Sequence, residues 1–217
     1  MAVSMQTLPV GPLEVNCYIL WDESRDAFII DPGGDTDLIK EAVERQGLSV
    51  RYIVNTHGHF DHVGGDGALR DFFKCPLAIH PDDAGLLSEA ESHGEFFGVK
   101  TPAQPAADIM LADGSHISAG SMTLEVLHTP GHTEGGVCLY LKEEKILFTG
   151  DTLFAGSVGR TDFEGGSMEK LLHSINFKIL SLDDDVRVFP GHGPATTVGD
   201  ERRSNPFLTG SGGAAAG

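Results

Sequence analysis

Near the N-terminus the apolar positions fall into short runs at 3–9, 15–21 and 26–30, separated at Gly11-Pro12 and Glu23-Ser24. That pattern predicts consecutive strands joined by turns. Asp31-Pro32-Gly33-Gly34 breaks the run. The spacing of Leu38, Ile39, Ala42 and Val43 then places them on one face of a helix over 36–46, capped at Asp35-Thr36 and stopped at Gly47. Residues 51–54 read as a buried strand, Gly64-Gly65-Asp66 opens a helix over 67–73, and 77–80 form a further strand. A helix near 82–90 precedes a Gly-, Pro- and Ala-rich connection to residue 106, read as a mobile loop.

The second half repeats the style. Segments 108–111 and 116–117 flank Asp113-Gly114, a hairpin signal, and strands follow at 121–128, 136–142 and 145–149 with a tight turn at Glu143-Glu144. Leu171, Leu172, Ile175 and Ile179 form the apolar stripe of a helix over 167–179, and a last strand over 186–189 ends at Pro190-Gly191-His192. Blocks of mainly antiparallel strands, each followed by helices, predict an α/β (α+β) chain with facing sheets covered outside by helices. The expected domain is 1–208, and the Gly/Ala-rich stretch 209–217 is set aside as a disordered tail.

Composition narrows the partners. The chain has 217 residues, 40% of them hydrophobic, which suits one domain with a sizeable core. Its formal charge of -17 disfavours nucleic acid and anionic membranes. An anionic substrate therefore needs local positive charge, which divalent cations would supply. The start of the chain shows neither a basic leader nor a membrane-length apolar run, so the expected location is cytoplasmic. Cys17, Cys75 and Cys138 include no C-x-x-C pair and read as reduced, packed thiols.

The chemistry concentrates at His57-Gly58-His59-Phe60-Asp61-His62, directly after a predicted strand. His57 and His59 stand two apart and on an extended or looping backbone grip one ion, while Asp61 and His62 reach toward a second. His132, Asp151 and His192 each follow a predicted strand and each adjoin glycine, which lets the backbone turn close to a metal.

Together these motifs resemble the metallo-β-lactamase fold superfamily, a four-layer αββα sandwich. Within it, Pro190–Thr197 and Asn205-Pro206-Phe207-Leu208 resemble the short, single-domain type II glyoxalases, the hydroxyacylglutathione hydrolases. The resemblance implies that His57, His59 and His132 hold one ion, that Asp61, His62 and His192 hold the other, and that Asp151 bridges. It also implies a metal-bridging hydroxide as nucleophile, with Asp61 and Asp151 as the catalytic carboxylates. Histidine and carboxylate ligands suit two divalent ions, Zn²⁺, Fe²⁺ or Mn²⁺. The implied reaction is hydrolysis of a small glutathione-linked thioester, S-D-lactoylglutathione, to D-lactate and glutathione; the oligomeric state is left open.

Longer glyoxalases add a helical domain with cationic contacts to glutathione. Here Arg160, Lys100, Arg202 and Arg203 are the local cations, and Arg160, in Gly159-Arg160-Thr161-Asp162-Phe163, is the substrate-binding choice. The same run resembles persulfide dioxygenases, which would use a single iron at His57, His132 and Asp151. The hydroxide that attacks a thioester would also open a lactone, so lactone hydrolysis fits the same ligands, as does a metal-binding module without catalysis. A true β-lactamase is disfavoured by Asp151 at the bridging position and by the missing leader. His80, His93, His116, His128 and His173 are read as ordinary histidines, and Phe96-Phe97 as a packed pair or a wall of the substrate mouth.

Overall fold

The computed structural model describes residues 2–210. One sheet is built from β1 (Ser4–Val10), β2 (Val15–Trp21), β3 (Asp26–Ile30), β4 (Ser49–Val54), β5 (Leu77–Ile79) and β6 (Ile109–Met110), in that spatial order. β1, β2 and β3 are antiparallel, but β3 to β6 run parallel, which corrects the expectation of mainly antiparallel blocks. Parallel neighbours need crossovers. These are α1 (Thr36–Gln46), then α2 (Phe60–Val63) with α3 (Asp66–Phe73), then α4 (Ala84–Phe96).

The second sheet contains β7 (His116–Ala119), β8 (Met122–His128), β9 (Val137–Leu141) and β10 (Ile146–Gly150). A small hairpin follows, β11 (Leu153–Phe154) with β12 (Ser157–Val158), then α5 (Met168–Ser174), which continues as a π-helical turn over Ile175–Ile179. The sheet is completed by β13 (Arg187–Pro190) and β14 (Thr196–Thr197), in the order β14-β13-β10-β9-β8-β7, and α6 (Val198–Ser204) follows.

The layers follow from strict alternation. Tyr18, Leu20, Phe28, Ile30 and Val54 face Val137, Leu139, Leu141, Ile146 and Phe148 across the space between the sheets. The intervening Cys17, Ile19, Ile29 and Ile53 pack outward against Ile39, Val43, Leu69 and Leu87 of the first helical layer. Cys138, Tyr140 and Leu147 pack outward against Leu171, Ile175, Ile179 and Val198 of the second. Strands buried on both faces read as continuous apolar runs. The result is the expected four-layer αββα sandwich. Cys17, Cys75 and Cys138 are buried and unpaired, and burial pushes the Cys75 and Cys138 thiols up to about 11 and about 12.

Other expectations are corrected. Asp113-Gly114 does not close a hairpin: β6 pairs with β5 in one sheet, β7 pairs with β8 in the other, and the turn carries the chain between sheets. Asp113 is held there by His128 N at 2.9 Å and by Lys178 Nζ at 2.7 Å. The helix expected over 82–90 runs to Phe96, and 97–106 is tied down by Gln104, whose N donates to Leu87 O at 2.9 Å and whose Oε1 accepts from Gly67 N at 2.8 Å. Thr209 N and Oγ1 both donate to Asn205 O at 3.0 Å, while the rest of the expected tail, 211–217, lies outside the described residues. No helix among the described residues is long and apolar enough to cross a membrane.

Asp22 ties the sheets together away from the site. Only 4% exposed, it accepts from Ser24 Oγ and N at 2.6 and 2.9 Å beside β2, and from Ser121 N and Oγ at 2.7 and 2.8 Å beside β8. The Ser24 hydroxyl first, then Ser121, hold its carboxyl below the usual carboxylate range. Asp22→Ala is expected to cost about 3 kcal/mol, a fall in Tm of about 6–12 °C at pH 7. Because the folded-state pKa is depressed, this contribution is complete above about pH 4 and is lost on acidification. The gap between the thermal melts of the two proteins should therefore narrow progressively as the pH falls below about 4.

Candidate metal centre

β3, β4, β8, β10 and β13 all end at one edge of the sandwich, and the segments after them carry Asp31, His57–His62, His132, Asp151 and His192. The motif after β4 is not simply a turn: Phe60–Val63 form α2, which directs His62 inward against His57, with ring centroids 4.0 Å apart. The His192 loop is fixed to β2 by Asn16 Nδ2, which donates to Pro190 O at 3.0 Å and Gly193 O at 2.9 Å, and by Tyr18 Oη, which donates to Pro190 O at 2.6 Å. A Cβ on Gly191 would stand 2.4 Å from Asp151 Oδ1 and 2.6 Å from His62 Cε1, so only glycine lets this backbone pass the cluster.

All seven residues proposed from the sequence as ligands meet here. His57, His59 and His132 form one group whose nitrogens lie within 4.8 Å of one another, and Asp61, His62 and His192 form a second on the same criterion. Asp151 stands between them: Oδ1 is 3.4 Å from His62 Nε2, while Oδ2 is 3.7 Å from His132 Nε2 and 3.8 Å from His192 Nε2. Asp61 Oδ2 is 3.3 Å from His192 Nε2.

Charge and protonation are sorted by surroundings. Burial, then the neighbouring imidazoles, hold His57 well below the ordinary histidine range and His59 at about 3, so both stay neutral with lone pairs available. Burial opposes charge on His62 and His192 too. Asp151 and Asp61 outweigh it and raise His62, and the Asp61 hydrogen bond, with Asp151, raises His192. Burial would raise Asp61 and Asp151, but His62 foremost pulls both down. His57 Nε2, His62 Nε2 and Asp151 Oδ1 are buried without a hydrogen-bond partner. Orphaned buried polar atoms converging on one space cost stability unless something fills it, and imidazole with carboxylate is the donor set of a divalent metal site.

The outer partners escaped the sequence reading. Asp31 Oδ2 accepts from His62 Nδ1 at 3.0 Å and Thr56 Oγ1 at 2.6 Å, and its Oδ1 accepts from Thr56 N at 2.7 Å. Its φ of 50° puts a non-glycine residue in left-handed conformation. His132 Nδ1 donates to the Arg160 carbonyl at 2.7 Å, which leaves Nε2 free to ligate. The sequence drew attention to the Arg160 side chain, yet its guanidinium forms a fork with Asp162 at 2.7 Å and lies 3.8 Å over the Phe163 ring.

A cleft of about 830 Å³ opens over the centre. Phe97 stacks on Phe60 at 5.4 Å and meets Phe163 edge-on at 5.7 Å, which gives one apolar wall, with Phe96 more exposed beside it. Arg160 is the one lysine or arginine lining it among the described residues; Lys100, Arg202 and Arg203 do not. Arg202 Nη2 instead donates to Leu180 O at 2.6 Å, and Arg203 pairs with Asp200 at 2.8 Å. Asp82, Glu89, Glu134 and Glu164 also line the cleft. Among the other histidines, His80 and His128 stack at 4.1 Å and 10°, near Asp82. His80 Nδ1 accepts from Asp82 N at 3.3 Å and His128 Nε2 pairs with Glu134 O at 2.9 Å, so each ring already has a protein partner.

Comparison with known proteins follows the same lines. The metallo-beta-lactamase superfamily pattern matches residues 10–192. The chain is 37% identical to the hydroxyacylglutathione hydrolase GloC of Haemophilus influenzae, over 95% of this chain and 98% of that protein. It is 38% identical to the human mitochondrial persulfide dioxygenase ETHE1, over 88% of this chain and 70% of that one. Among solved structures, the BLEG-1 B3 metallo-beta-lactamase superposes with a TM-score of 0.90 at 39% identity, covering 95% of this chain and all 100% of that one. TTHA1623, in a di-iron-bound form, gives 0.87 at 37% identity, covering 94% and 100%.

Proposed function

The chain belongs to the metallo-beta-lactamase superfamily, and from that premise we propose that it is a two-metal thioesterase that hydrolyses S-D-lactoylglutathione to D-lactate and glutathione. The observation that carries this reading is the convergence of seven histidines and aspartates with buried, unpartnered His57 Nε2, His62 Nε2 and Asp151 Oδ1. The full-length likeness to GloC supports the substrate. His57, His59 and His132 would hold one ion, Asp61, His62 and His192 the other, with Asp151 serving both; Zn²⁺, Fe²⁺ or Mn²⁺ fits the donors.

When bound, such ions supply Lewis acidity, which yields a nucleophilic water at neutral pH and offsets charge on the acyl oxygen. The chain's own residues do the rest. Asp61, whose Oδ2 lies 3.3 Å from His192 Nε2 at the edge of the second group, would also accept a hydrogen bond from the attacking water and orient it. The Phe60, Phe97 and Phe163 wall excludes solvent from one side of the substrate. The departing thiolate is stable enough to leave without a strong general acid.

The acidic cleft gives this reading a measurable signature. Glutathione brings two carboxylates past Glu89, Glu134 and Glu164, with Arg160 already paired to Asp162. KM for S-D-lactoylglutathione is therefore expected to fall about 2–5-fold with added salt or in Glu89→Gln, Glu134→Gln or Glu164→Gln proteins, at unchanged kcat. A KM that rises with salt contradicts it.

The likeness to ETHE1 favours a second reading, oxidation of a persulfide at a single iron held by His57, His132 and Asp151. Thioester absorbance with S-D-lactoylglutathione and oxygen uptake with a glutathione persulfide, followed side by side on iron-loaded and zinc-loaded protein with a β-lactam control, separate the readings. Thioester loss with both metals and no oxygen uptake supports the thioesterase; oxygen uptake confined to the iron form overturns it.

A further inference from the structure

We infer that Asp83 is a positioning residue that locks the His57–His59 loop and the His132 loop into register for one metal ion, the one His57, His59 and His132 would hold. The inference rests on the two-metal reading above. Asp83 belongs to none of the ligand motifs. It ends the 3-10 turn Pro81–Asp83 that follows β5, and is 1% exposed.

Its carboxylate spans two loops that come from different sheets. Oδ2 accepts from Gly58 N at 2.9 Å, between His57 and His59, and from Thr133 Oγ1 at 2.7 Å, next to His132. Oδ1 accepts from Gly135 N at 2.6 Å. The loop after β8 approaches so closely that a Cβ on Gly135 would lie 2.5 Å from Asp83 N and 2.6 Å from Oδ1. The ring nitrogens being brought together, His59 Nδ1 and His132 Nε2, stand 2.9 Å apart.

All three groups facing Asp83 donate, so an acceptor-only side chain with two oxygens is what the position requires. Asparagine would turn an NH₂ toward at least one of them. Burial pushes the Asp83 carboxyl up, and the three hydrogen bonds pull it back toward the ionised form. Asp31 bonds directly to an imidazole of the other group, whereas Asp83 bonds to none of the ligand imidazoles and acts through Gly58 N, Gly135 N and the Thr133 hydroxyl. Without it the two loops would have to be ordered by the metal itself, and that entropy would come out of binding affinity.

The test is Co²⁺ titration against a competing chelator, followed by visible absorption, on wild type, Asp83→Asn, His192→Ala and the double variant, with apo-protein melts alongside. Wild type is expected to bind two equivalents. Asp83→Asn should bind one at wild-type affinity and the second about 10–100-fold more weakly with an altered spectrum. The double variant should bind neither tightly. If Asp83→Asn fails to fold, Thr133→Val and Gly135→Ala each disturb one arm and should weaken the same equivalent about 3–10-fold. Both equivalents at wild-type affinity, or both weakened alike, would overturn the inference and leave Asp83 a structural residue. A wild-type chain binding fewer than two equivalents would overturn the two-metal reading, and this inference with it.

Discussion

Asp151→Ala is expected to lower kcat/KM for the thioester by at least about 10³-fold, or about 4 kcal/mol of transition-state stabilisation. The size follows from its position. Asp151 reaches both groups: Oδ1 faces His62 of the second, and Oδ2 faces His132 of the first and His192 of the second. Burial would favour its neutral form, yet His62, His132 and His192 hold it well below the usual carboxylate range, so it enters the site as an anion. Alanine removes that charge and leaves five imidazoles and Asp61 to hold two dications. Metal analysis and steady-state kinetics on the same sample check the result, and a variant with two ions and full turnover would contradict it. Asp151→Asn keeps the shape but loses the charge, and is expected to recover less than a tenth of the rate.

Asp31→Ala is expected to destabilise the apo-protein by about 3–5 kcal/mol, because it strands buried donors. Thr56 N, Thr56 Oγ1 and His62 Nδ1 would lose acceptors at 2.7, 2.6 and 3.0 Å in a place where Asp31 is 1% exposed. At about 2–4 °C per kcal/mol, Tm should fall by about 6–20 °C. The His62 ring would also lose the bond that sets its tautomer, so metal affinity should drop about 10–100-fold. Asp31→Asn should lie between the two. A melt within about 2 °C of wild type for the alanine variant would show that Asp31 does not support the turn.

Most of the fold was legible because it rests on alternation. Runs such as Val15–Trp21 and Val137–Leu141 are apolar on both faces, and such strands must lie between layers. What failed was pairing. The Asp113-Gly114 turn has the same local chemistry whether its flanking strands join each other or part for different sheets, and only β5 and β8, distant in sequence, decide. Parallel steps were hidden for the same reason. The short β14 and α6 escaped because seven polar-rich residues over 198–204 show no long stripe, although Thr197 caps the helix by accepting from Asp200 N.

The site divides along a similar line. The clustered positions proposed as ligands stood out because histidines and glycines recur at predicted strand ends, as at Gly131-His132 and Gly191-His192. Asp31 and Asp83 were not, because a single carboxylate in a loop looks like any turn residue until its distant partners, Thr56 and His62 or Gly58, Thr133 and Gly135, are known. Asp31 lies directly after a strand, as Asp151 does, and that shared placement was the available signal. At Arg160 the sequence points to a side chain, while the contact to His132 is made by the main chain, which sequence reading passes over.

A metal-dependent thioesterase should reveal itself in hydrolysis of S-D-lactoylglutathione by metal-loaded, chelated and reconstituted samples of one preparation. Turnover in the loaded sample, its loss with the metals and its return with two equivalents of Zn²⁺, Fe²⁺ or Mn²⁺ is the predicted result. Absence of turnover in a protein shown to hold two ions, or turnover that survives complete removal of metal, would contradict it.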